Sequence, residues 1–188
     1  MGKSASGKDT LFGRLRAALG LPSLVLYTTR PMRSNEVNGR EYYFIDTQTL
    51  EAMRQAGEII EARSYQTVHG IWTYCTAKQS CDLTESSLLG VGTLESYAAI
   101  RAALGEQAVI PIYIEVDDRT RLLRAIERES REAKPDYAEL CRRFLADAAD
   151  FSEAHLEENG ITRRFANDDL DRCHAEIEAY IRTMEEQT

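Results

Sequence analysis

A glycine-rich segment at the start of the chain constrains the fold more than any other feature. Residues 2–10 read G-K-S-A-S-G-K-D-T and fit the pattern G-x-x-x-x-G-K-x-T. Small residues let the backbone wrap closely around a phosphate with its N–H groups pointing inward, and a helix that begins here adds partial positive charge. In such a loop Lys8 reaches the β- and γ-phosphates of a nucleoside triphosphate. We therefore predict a triphosphate-binding loop formed by Gly2, Ala5, Ser6, Gly7, Lys8, Asp9 and Thr10.

Asp9 occupies the position at which the strict motif has Ser or Thr. One interpretation is that its carboxylate contacts Mg²⁺ through a water molecule, which makes Asp9 the candidate metal residue. The other is that Asp9 caps the helix, where a carboxylate is favourable by ~0.5–2 kcal/mol. The sequence leaves both interpretations open.

Helical and strand-like patterns alternate along the rest of the chain. Helices are predicted over residues 10–19, 47–56, 94–104, 117–131, 135–158 and 168–184, and strands over residues 24–27, 42–45, 58–65, 71–76, 87–91, 108–116 and 163–166. This alternation favours a single α/β domain over 1–188, with a parallel sheet flanked by helices as in P-loop nucleotide-hydrolysing proteins. Such loops usually follow a buried strand, whereas this loop starts at residue 2. We expect that first core strand to be missing from the chain, or its place to be taken by another segment.

Composition narrows the classes of partner. The 188 residues carry a net charge of -8, which disfavours a nucleic-acid-binding protein. No apolar run is long enough to span a bilayer. The four cysteines form no C-x-x-C pair, so free thiols in a reducing cytoplasm are expected. We expect a cytoplasmic protein, monomeric or homodimeric, that binds small nucleotides and neither nucleic acid nor membrane.

A second candidate anion site lies in a turn-rich segment. Residues 28–44 read T-T-R-P-M-R-S-N-E-V-N-G-R-E-Y-Y-F. Arg30 and Arg33 are three residues apart, and two guanidinium groups that converge on one phosphate make strong charge-assisted hydrogen bonds. Tyr42 can add a hydroxyl donor. The alternative is a solvated loop with unrelated charges.

This segment resembles the GMP-binding segment of guanylate kinases, T-T-R-x-P-R-x-G-E-V-x-G-x-D-Y-x-F, and the resemblance extends from Gly2 to the last helix. It implies transfer of the γ-phosphoryl group of ATP, with Mg²⁺, to GMP or dGMP. It also implies a small mixed β subdomain for the acceptor over about 28–80 and a helical lid over about 124–143. The residues implied to bind GMP are Arg30, Arg33, Glu36, Tyr42, Tyr74, Thr76 and, as acceptor for the guanine base, Glu61.

Three arginines match the lid pattern of the family. Arg124 and Arg128 are four residues apart on one helical face, and Arg143 follows beyond Pro135. The resemblance implies that they stabilise the charge of the transferring phosphoryl group, whereas the alternative is a charged helix face paired with neighbouring glutamates. Asn167 matches the family's N-D-D-L motif near the adenine of ATP.

The chain departs from the family pattern at three polar positions, where it has Gly90, Gly92 and Leu26. The family places an aspartate near the metal and another near guanine at the two glycine positions. A guanine amino group without its acceptor loses about 1–3 kcal/mol. Three alternatives therefore stay open: altered acceptor specificity, a catalytically impaired binding module, and a fragment inactivated by truncation.

Overall fold

The computed structural model describes residues 1–67, 70–84 and 86–186. Residues 68 and 69, which fall in the predicted acceptor region, lie outside these ranges. The helices are α1 (Lys8–Leu19), α2 (Thr47–Gln55), α3 (Leu94–Leu104), α4 (Asp118–Glu129), α5 (Tyr137–Asp150), α6 (Glu153–Glu158) and α7 (Leu170–Glu185). The strands are β1 (Leu26–Thr28), β2 (Tyr42–Phe44), β3 (Ile59–Thr67), β4 (Gly70–Ala77), β5 (Tyr113–Glu115) and β6 (Arg164–Ala166). No helix in the described part of the chain is both long and apolar enough to cross a membrane.

The chain divides into two compact units. The first unit comprises Met1–Gly20, Val91–Leu94 and Ile110–Thr188, and it contains the predicted lid. The second unit comprises Leu21–Gly90 and Glu95–Val109, and it contains the predicted acceptor region. The prediction of a single domain over 1–188 stays a prediction.

The sheet of the first unit leads into the glycine-rich loop. Strands β5 and β6 pair in parallel, with Ile114 opposite Phe165. The Met1 amino group donates a hydrogen bond to the Ile112 carbonyl at 2.7 Å, and the Met1 carbonyl accepts one from the Ile114 N–H at 2.9 Å. The backbone directly before the loop is therefore fixed against β5. The expectation of a missing first strand stays a prediction.

Two helices pack together beside this sheet. Leu11 and Leu15 of α1 are buried, and α7 buries Cys173, Ile177 and Ile181 at the spacing of one helical face. The two helices contact each other, so the start of α1 is anchored by an apolar interface. This interface fixes the end of the loop that leads into α1.

The second unit is built on a four-stranded mixed sheet with the order β2-β1-β4-β3. Helix α2 covers one face, where Leu50 and Met53 pack against Tyr27, Cys75 and Ala77. Because side chains alternate between the two faces of a strand, the residues between these core positions lie on the opposite face. That opposite face carries most of the predicted acceptor residues.

Several predicted elements are confirmed and others need correction. Helix α3 has the predicted bounds, and the Asp46 side chain caps α2 by accepting from the Thr49 N–H at 2.7 Å. The buried strand predicted over residues 87–91 is wrong, because among the described residues the segment makes only one bridge, between Leu89 and Ser23, and Gly90 is exposed.

Two further boundaries differ from the prediction. Strand β5 begins at Tyr113 instead of residue 108, since Pro111 lacks the N–H that a strand ladder requires. The helix predicted over 135–158 is two helices, α5 and α6, because Ser152 starts a new helix by accepting from the His155 N–H. The α/β class is confirmed, but the parallel pairing of the first unit is confined to β5 and β6 among the described residues.

Candidate functional site

The predicted phosphate loop forms a tight turn ahead of α1. Gly7 has φ 83°, and a Cβ atom at this position would lie 2.4 Å from Asn167 Nδ2. A Cβ atom on Gly2 would lie 2.7 Å from the Ile114 carbonyl oxygen. Ala5 also has a left-handed conformation, with φ 61°. Only glycine fits at the two ends of this loop, which is the close backbone approach that the motif predicts.

Asn167 supports the loop from the other end of the sequence. Its Nδ2 donates to the Ser6 carbonyl at 2.7 Å, and its own N–H donates to the Glu115 carbonyl at 2.9 Å. Both Asn167 and Ser6 are buried, and the Asn167 Oδ1 and Ser6 Oγ atoms have no hydrogen-bond partner among the described residues. Asn167 is thus a brace between β5 and the loop, while its predicted contact with ATP stays a prediction.

Lys8 and Asp9 begin the helix that follows. Lys8 is half-buried, with its Nζ 3.9 Å from Asp9 Oδ2, and the Asp9 side chain is 81% exposed. The N-cap residue is Gly7, and no side chain caps this helix. The interpretation of Asp9 as a capping residue is therefore wrong, although a carboxylate in the first turn still complements the helix dipole. Thr10, the last residue of the predicted loop, is exposed.

The three predicted lid arginines have different surroundings. Arg124 donates through Nη2 to the Asn167 carbonyl at 3.1 Å, which places it beside the residue that braces the loop. Arg128 is exposed one turn further along α4. Arg143 lies 4.0 Å from a Glu129 carboxylate oxygen and 3.8 Å from one of Glu139. The structure thus brings Arg124 next to the loop and pairs Arg143 with carboxylates of α4 and α5.

Arg121 is a functional candidate that sequence reasoning missed. It lies on α4 with a side chain only 1% exposed, and it contacts the loop through the Ser4 carbonyl. Only Arg124 and Arg128 on this helix were considered from the sequence, so a buried arginine was not expected. The available signal was its spacing of four residues from Ala125, the other buried residue of α4.

In the second unit, Arg30 forms an ion pair with the carboxylate of Glu36. Its Nη2 donates to Glu36 Oε1 at 2.6 Å and its Nη1 to Glu36 Oε2 at 3.0 Å, and the Arg30 side chain is 5% exposed. This two-point hydrogen bond raises the pKa of Arg30 and lowers the pKa of Glu36. Glu36 also accepts from the Arg33 N–H at 2.7 Å, so it organises the turn that carries both arginines.

Aromatic rings surround the Arg30 guanidinium. Its central carbon lies 5.6 Å from the ring centroid of Tyr42 and 5.5 Å from that of Phe44. Tyr74 meets Tyr42 edge to face, with centroids 5.6 Å apart. Burial, followed by the proximity of Tyr74, raises the pKa of Tyr42, so its hydroxyl stays protonated and able to donate at neutral pH. Arg33 itself is exposed.

Glu61 lies on the same face of the sheet and has two partners. Its Oε1 accepts from the Thr76 hydroxyl at 2.7 Å and its Oε2 from Arg63 Nε at 3.1 Å, and the Glu61 side chain is 7% exposed. Arg63 was not among the predicted residues, although it follows Glu61 by two positions and so lies on the same face of β3. The predicted base acceptor therefore carries a hydroxyl donor and a cation.

The departures at positions 26 and 90 lie in the second unit. Leu26 begins β1. A Cβ atom on Gly90 would lie 3.1 Å from Leu24 Cδ2, so any side chain here requires Leu24 to shift. Glycine at this position therefore coincides with close packing of Leu24.

A phosphate loop at a helix N-terminus and a surface of arginine, tyrosine and buried glutamate define an α/β protein of the nucleotide-binding class. The sequence model of the family described as guanylate kinase matches residues 1–184. The chain belongs to the guanylate kinase family, which confirms the resemblance given above.

Individual relatives agree with this assignment. Guanylate kinase of Nitratidesulfovibrio vulgaris is 30% identical over 181 residues, which are 94% of this chain and 81% of that protein. Guanylate kinase of Rhodopseudomonas palustris is 49% identical over 59 residues, 31% of this chain and 27% of that protein, so this match spans about a quarter of the relative's length. The crystal structure of guanylate kinase from Anaplasma phagocytophilum superposes with a TM-score of 0.60 at 19% identity, covering 97% of this chain and 82% of that one. This likeness supports the fold.

Proposed function

We propose that this protein is a nucleoside-monophosphate kinase that transfers the γ-phosphoryl group of ATP to GMP or dGMP. A phosphate oxygen of the acceptor forms the new bond to the γ-phosphorus, the bond to the β-phosphate oxygen breaks, and the products are ADP and the nucleoside diphosphate. The observation that carries the proposal is that one chain has both a braced phosphate loop ending in Lys8 and an arginine–tyrosine surface for a second phosphate.

The loop of the first unit serves as the donor site. Its N–H groups and Lys8 hold the β- and γ-phosphates, because cations and amides fixed in advance stabilise charge without reorganising during the reaction. Arg124 and Arg128 on α4, together with Arg143 on α5, supply further positive charge to the transferring group. The hydrogen bond of Arg124 to the Asn167 carbonyl supports this role for Arg124, since it places a cation beside the loop.

Mg²⁺ fits the residues at the end of the loop. Magnesium prefers oxygen ligands and keeps several water molecules. The Asp9 carboxylate has no hydrogen bond among the described residues and is largely exposed, and the Thr10 hydroxyl is exposed beside it. When bound, the metal neutralises charge on the β- and γ-phosphates. Asp9 would hold the metal through a water molecule.

The acceptor phosphate binds on the arginine–tyrosine surface of the second unit. Arg33 is exposed and supplies its guanidinium directly, while Arg30 is preorganised by Glu36 and supplies charge through its remaining N–H groups. The Tyr42 and Tyr74 hydroxyls donate the remaining hydrogen bonds. Glu36 acts by positioning both arginines.

Glu61 reads the guanine base of the acceptor. Its two oxygens are the acceptors that the guanine N1–H and amino group require, and each already accepts one hydrogen bond. A carboxylate oxygen has two lone pairs, so Glu61 can accept from the base as well. Because Arg63 adds a cationic donor at this position, altered acceptor specificity is the second candidate function.

The Arg33→Ala variant tests the acceptor site. Loss of a charge-assisted phosphate contact should raise KM for GMP by about tenfold or more and leave KM for ATP within about twofold. Arg40→Ala is the matched control, because Arg40 is an exposed arginine of the same segment whose partner is Glu41. An equal rise in both KM values, or no change in either, would contradict the assignment.

A panel of acceptors separates the two candidate functions. ADP release from ATP should be measured with GMP, dGMP, AMP, IMP and UMP. The proposal expects the highest kcat/KM with GMP or dGMP. A preference for another monophosphate identifies altered specificity, and ATP binding without turnover of any acceptor contradicts kinase function.

A further inference from the structure

A buried arginine connects two helices of the first unit to the phosphate loop. Arg121 of α4 donates from Nη2 to Asp118 Oδ1 at 2.8 Å and from Nη1 to the Ser4 carbonyl at 3.1 Å. Its Nη1 also lies 3.4 Å from Asp147 Oδ2 on α5, and its guanidinium carbon lies 4.4 Å from the ring centroid of Phe144. The guanidinium is thus shared between two helices and the loop.

Asp147 completes the arrangement from α5. The same Oδ2 atom that faces Arg121 accepts a hydrogen bond from the Ser4 N–H at 2.7 Å. Both backbone polar groups of Ser4 are therefore held by side chains, the carbonyl by Arg121 and the N–H by Asp147. We call Arg121, Asp147 and the Ser4 peptide groups the loop clamp.

The loop clamp acts at a strained point of the loop. Ser4 directly precedes Ala5, whose φ of 61° is unfavourable for a residue with a side chain. Such a conformation persists only where neighbouring contacts determine it. A buried charge also needs its partners, so the clamp and the loop conformation depend on each other.

We propose that Arg121 and Asp147 are positioning residues that hold the phosphate loop in the conformation that binds the phosphates of ATP. This inference rests on the proposed function, since it assumes that the loop binds the donor nucleotide. Both residues act through the Ser4 backbone. Disrupting the clamp therefore weakens the binding of ATP and ADP and leaves the acceptor site unchanged.

The first test compares three single substitutions on α5. Asp147→Ala removes the acceptor for the Ser4 N–H and should raise KM for ATP by about tenfold, with KM for GMP within about twofold. Asp147→Asn keeps an acceptor oxygen and should restore most of the ATP affinity. Asp150→Ala is the matched control, because Asp150 is an exposed aspartate of the same helix. Equal rises in both KM values for Asp147→Ala, or an unchanged KM for ATP, would overturn the inference.

The second test separates positioning from folding. Replacing Arg121 with Leu and Asp147 with Ala in one variant removes the buried ion pair together, which often preserves or raises stability. The inference expects a Tm close to that of the parent protein and an ADP dissociation constant, measured by calorimetry, that is about tenfold weaker. A variant with parental Tm and parental ADP affinity would refute the clamp.

The calorimetric titration also keeps the two proposals distinguishable. It needs no acceptor and no turnover, so it reports on the clamp even if none of the monophosphates is phosphorylated. If the parent protein turns over no acceptor but binds ADP, and the double variant binds ADP more weakly, the kinase proposal fails and the clamp stands. If the parent protein phosphorylates GMP and the double variant binds ADP as tightly as the parent, the clamp fails and the kinase proposal stands.

Discussion

The two phosphate sites proposed for this protein are built in different ways. In the first unit, the donor loop relies on backbone groups, and its side-chain contacts hold the backbone in place, as Asn167 does at the Ser6 carbonyl. In the second unit, the acceptor surface relies on side chains that already pair with one another, as Arg30 does with Glu36. Binding at the proposed donor site therefore depends on the backbone conformation of the loop. Binding at the proposed acceptor site depends on how the charged side chains pair.

This difference predicts which substitutions act on which substrate. Changes that alter the loop backbone or remove Lys8 should affect ATP. Changes that remove a paired side chain in the second unit should affect the acceptor or its specificity. Each prediction below tests one side of the comparison with a control of the same residue type.

The largest effect is expected at Lys8. Lys8→Ala removes the cation that we propose meets the charge developing between the β- and γ-phosphates, so kcat should fall by about 100- to 1000-fold. Lys3→Ala is the control in the same loop, because the Lys3 Nζ faces Asp118 at 3.8 Å. Steady-state kinetics at saturating GMP measure both. A comparable loss in Lys3→Ala would show that general loop charge matters instead of the Lys8 position.

The second largest effect is expected at Glu61, in recognition of the guanine base. Glu61→Gln removes the charged acceptor while keeping its size, and kcat/KM for GMP should fall by about ten- to a hundredfold. Monophosphates without a guanine amino group should lose much less. Glu58→Gln, at an exposed glutamate just before β3, is the control. Equal losses for every acceptor would show that Glu61 has only a structural role beside Thr76 and Arg63.

A smaller effect separates two glycines of the first unit. Gly7→Ala should lower the free energy of unfolding by about 1–2 kcal/mol or more, since its positive φ and the 2.4 Å approach to Asn167 Nδ2 both oppose a side chain. Gly13→Ala, inside α1 with open space around it, should raise that free energy by about 0.5–1 kcal/mol. Urea denaturation measures both. Destabilisation by both substitutions would mean that the contrast between loop and helix is wrong.

The smallest expected effect is a pH dependence in the second unit. The hydrogen bond from Arg30 lowers the pKa of Glu36, so the stabilisation is complete above the ordinary value of 4.5 and is lost as the pH falls through the lower folded pKa. In Glu36→Gln this acid-dependent loss should shrink, which thermal melts from pH 6 to pH 3 would detect. Glu51→Gln, at an exposed glutamate of α2, should retain the parental slope. A parental slope in Glu36→Gln would contradict the pairing.

The sequence predicted local elements better than it predicted partners. Helices α2 and α3 were predicted at 47–56 and 94–104, close to or at their observed bounds, because helix signals are local in the sequence. The segment at residues 87–91 was mistaken for a buried strand, since an apolar pair such as Leu88 and Leu89 does not reveal whether a neighbouring strand is available.

In the candidate site, too, local features were predicted better than contacts between distant residues. The tight turn at Gly2 and Gly7 was predicted because the spacing of the glycines reflects the shape of the backbone, and the role of Lys8 stays a prediction. The pairing of Arg63 with Glu61 and the burial of Arg121 were not predicted, because both depend on which other side chains the fold brings close. Motif residues can therefore be found in a single sequence, whereas the partners of their side chains can be found only in the structure.

The brace at Asn167 has a consequence for the synthesis of the chain. The residues joined by its hydrogen bond to the Ser6 carbonyl are 161 positions apart. A ribosome adds about 5–20 residues each second, and segments can begin to fold in the order in which they emerge. The phosphate loop is made 161 positions before Asn167, so it lacks this support until Asn167 has been translated and has left the ribosome. Nucleotide that is present during synthesis should therefore bind the loop only after Asn167 has emerged from the ribosome.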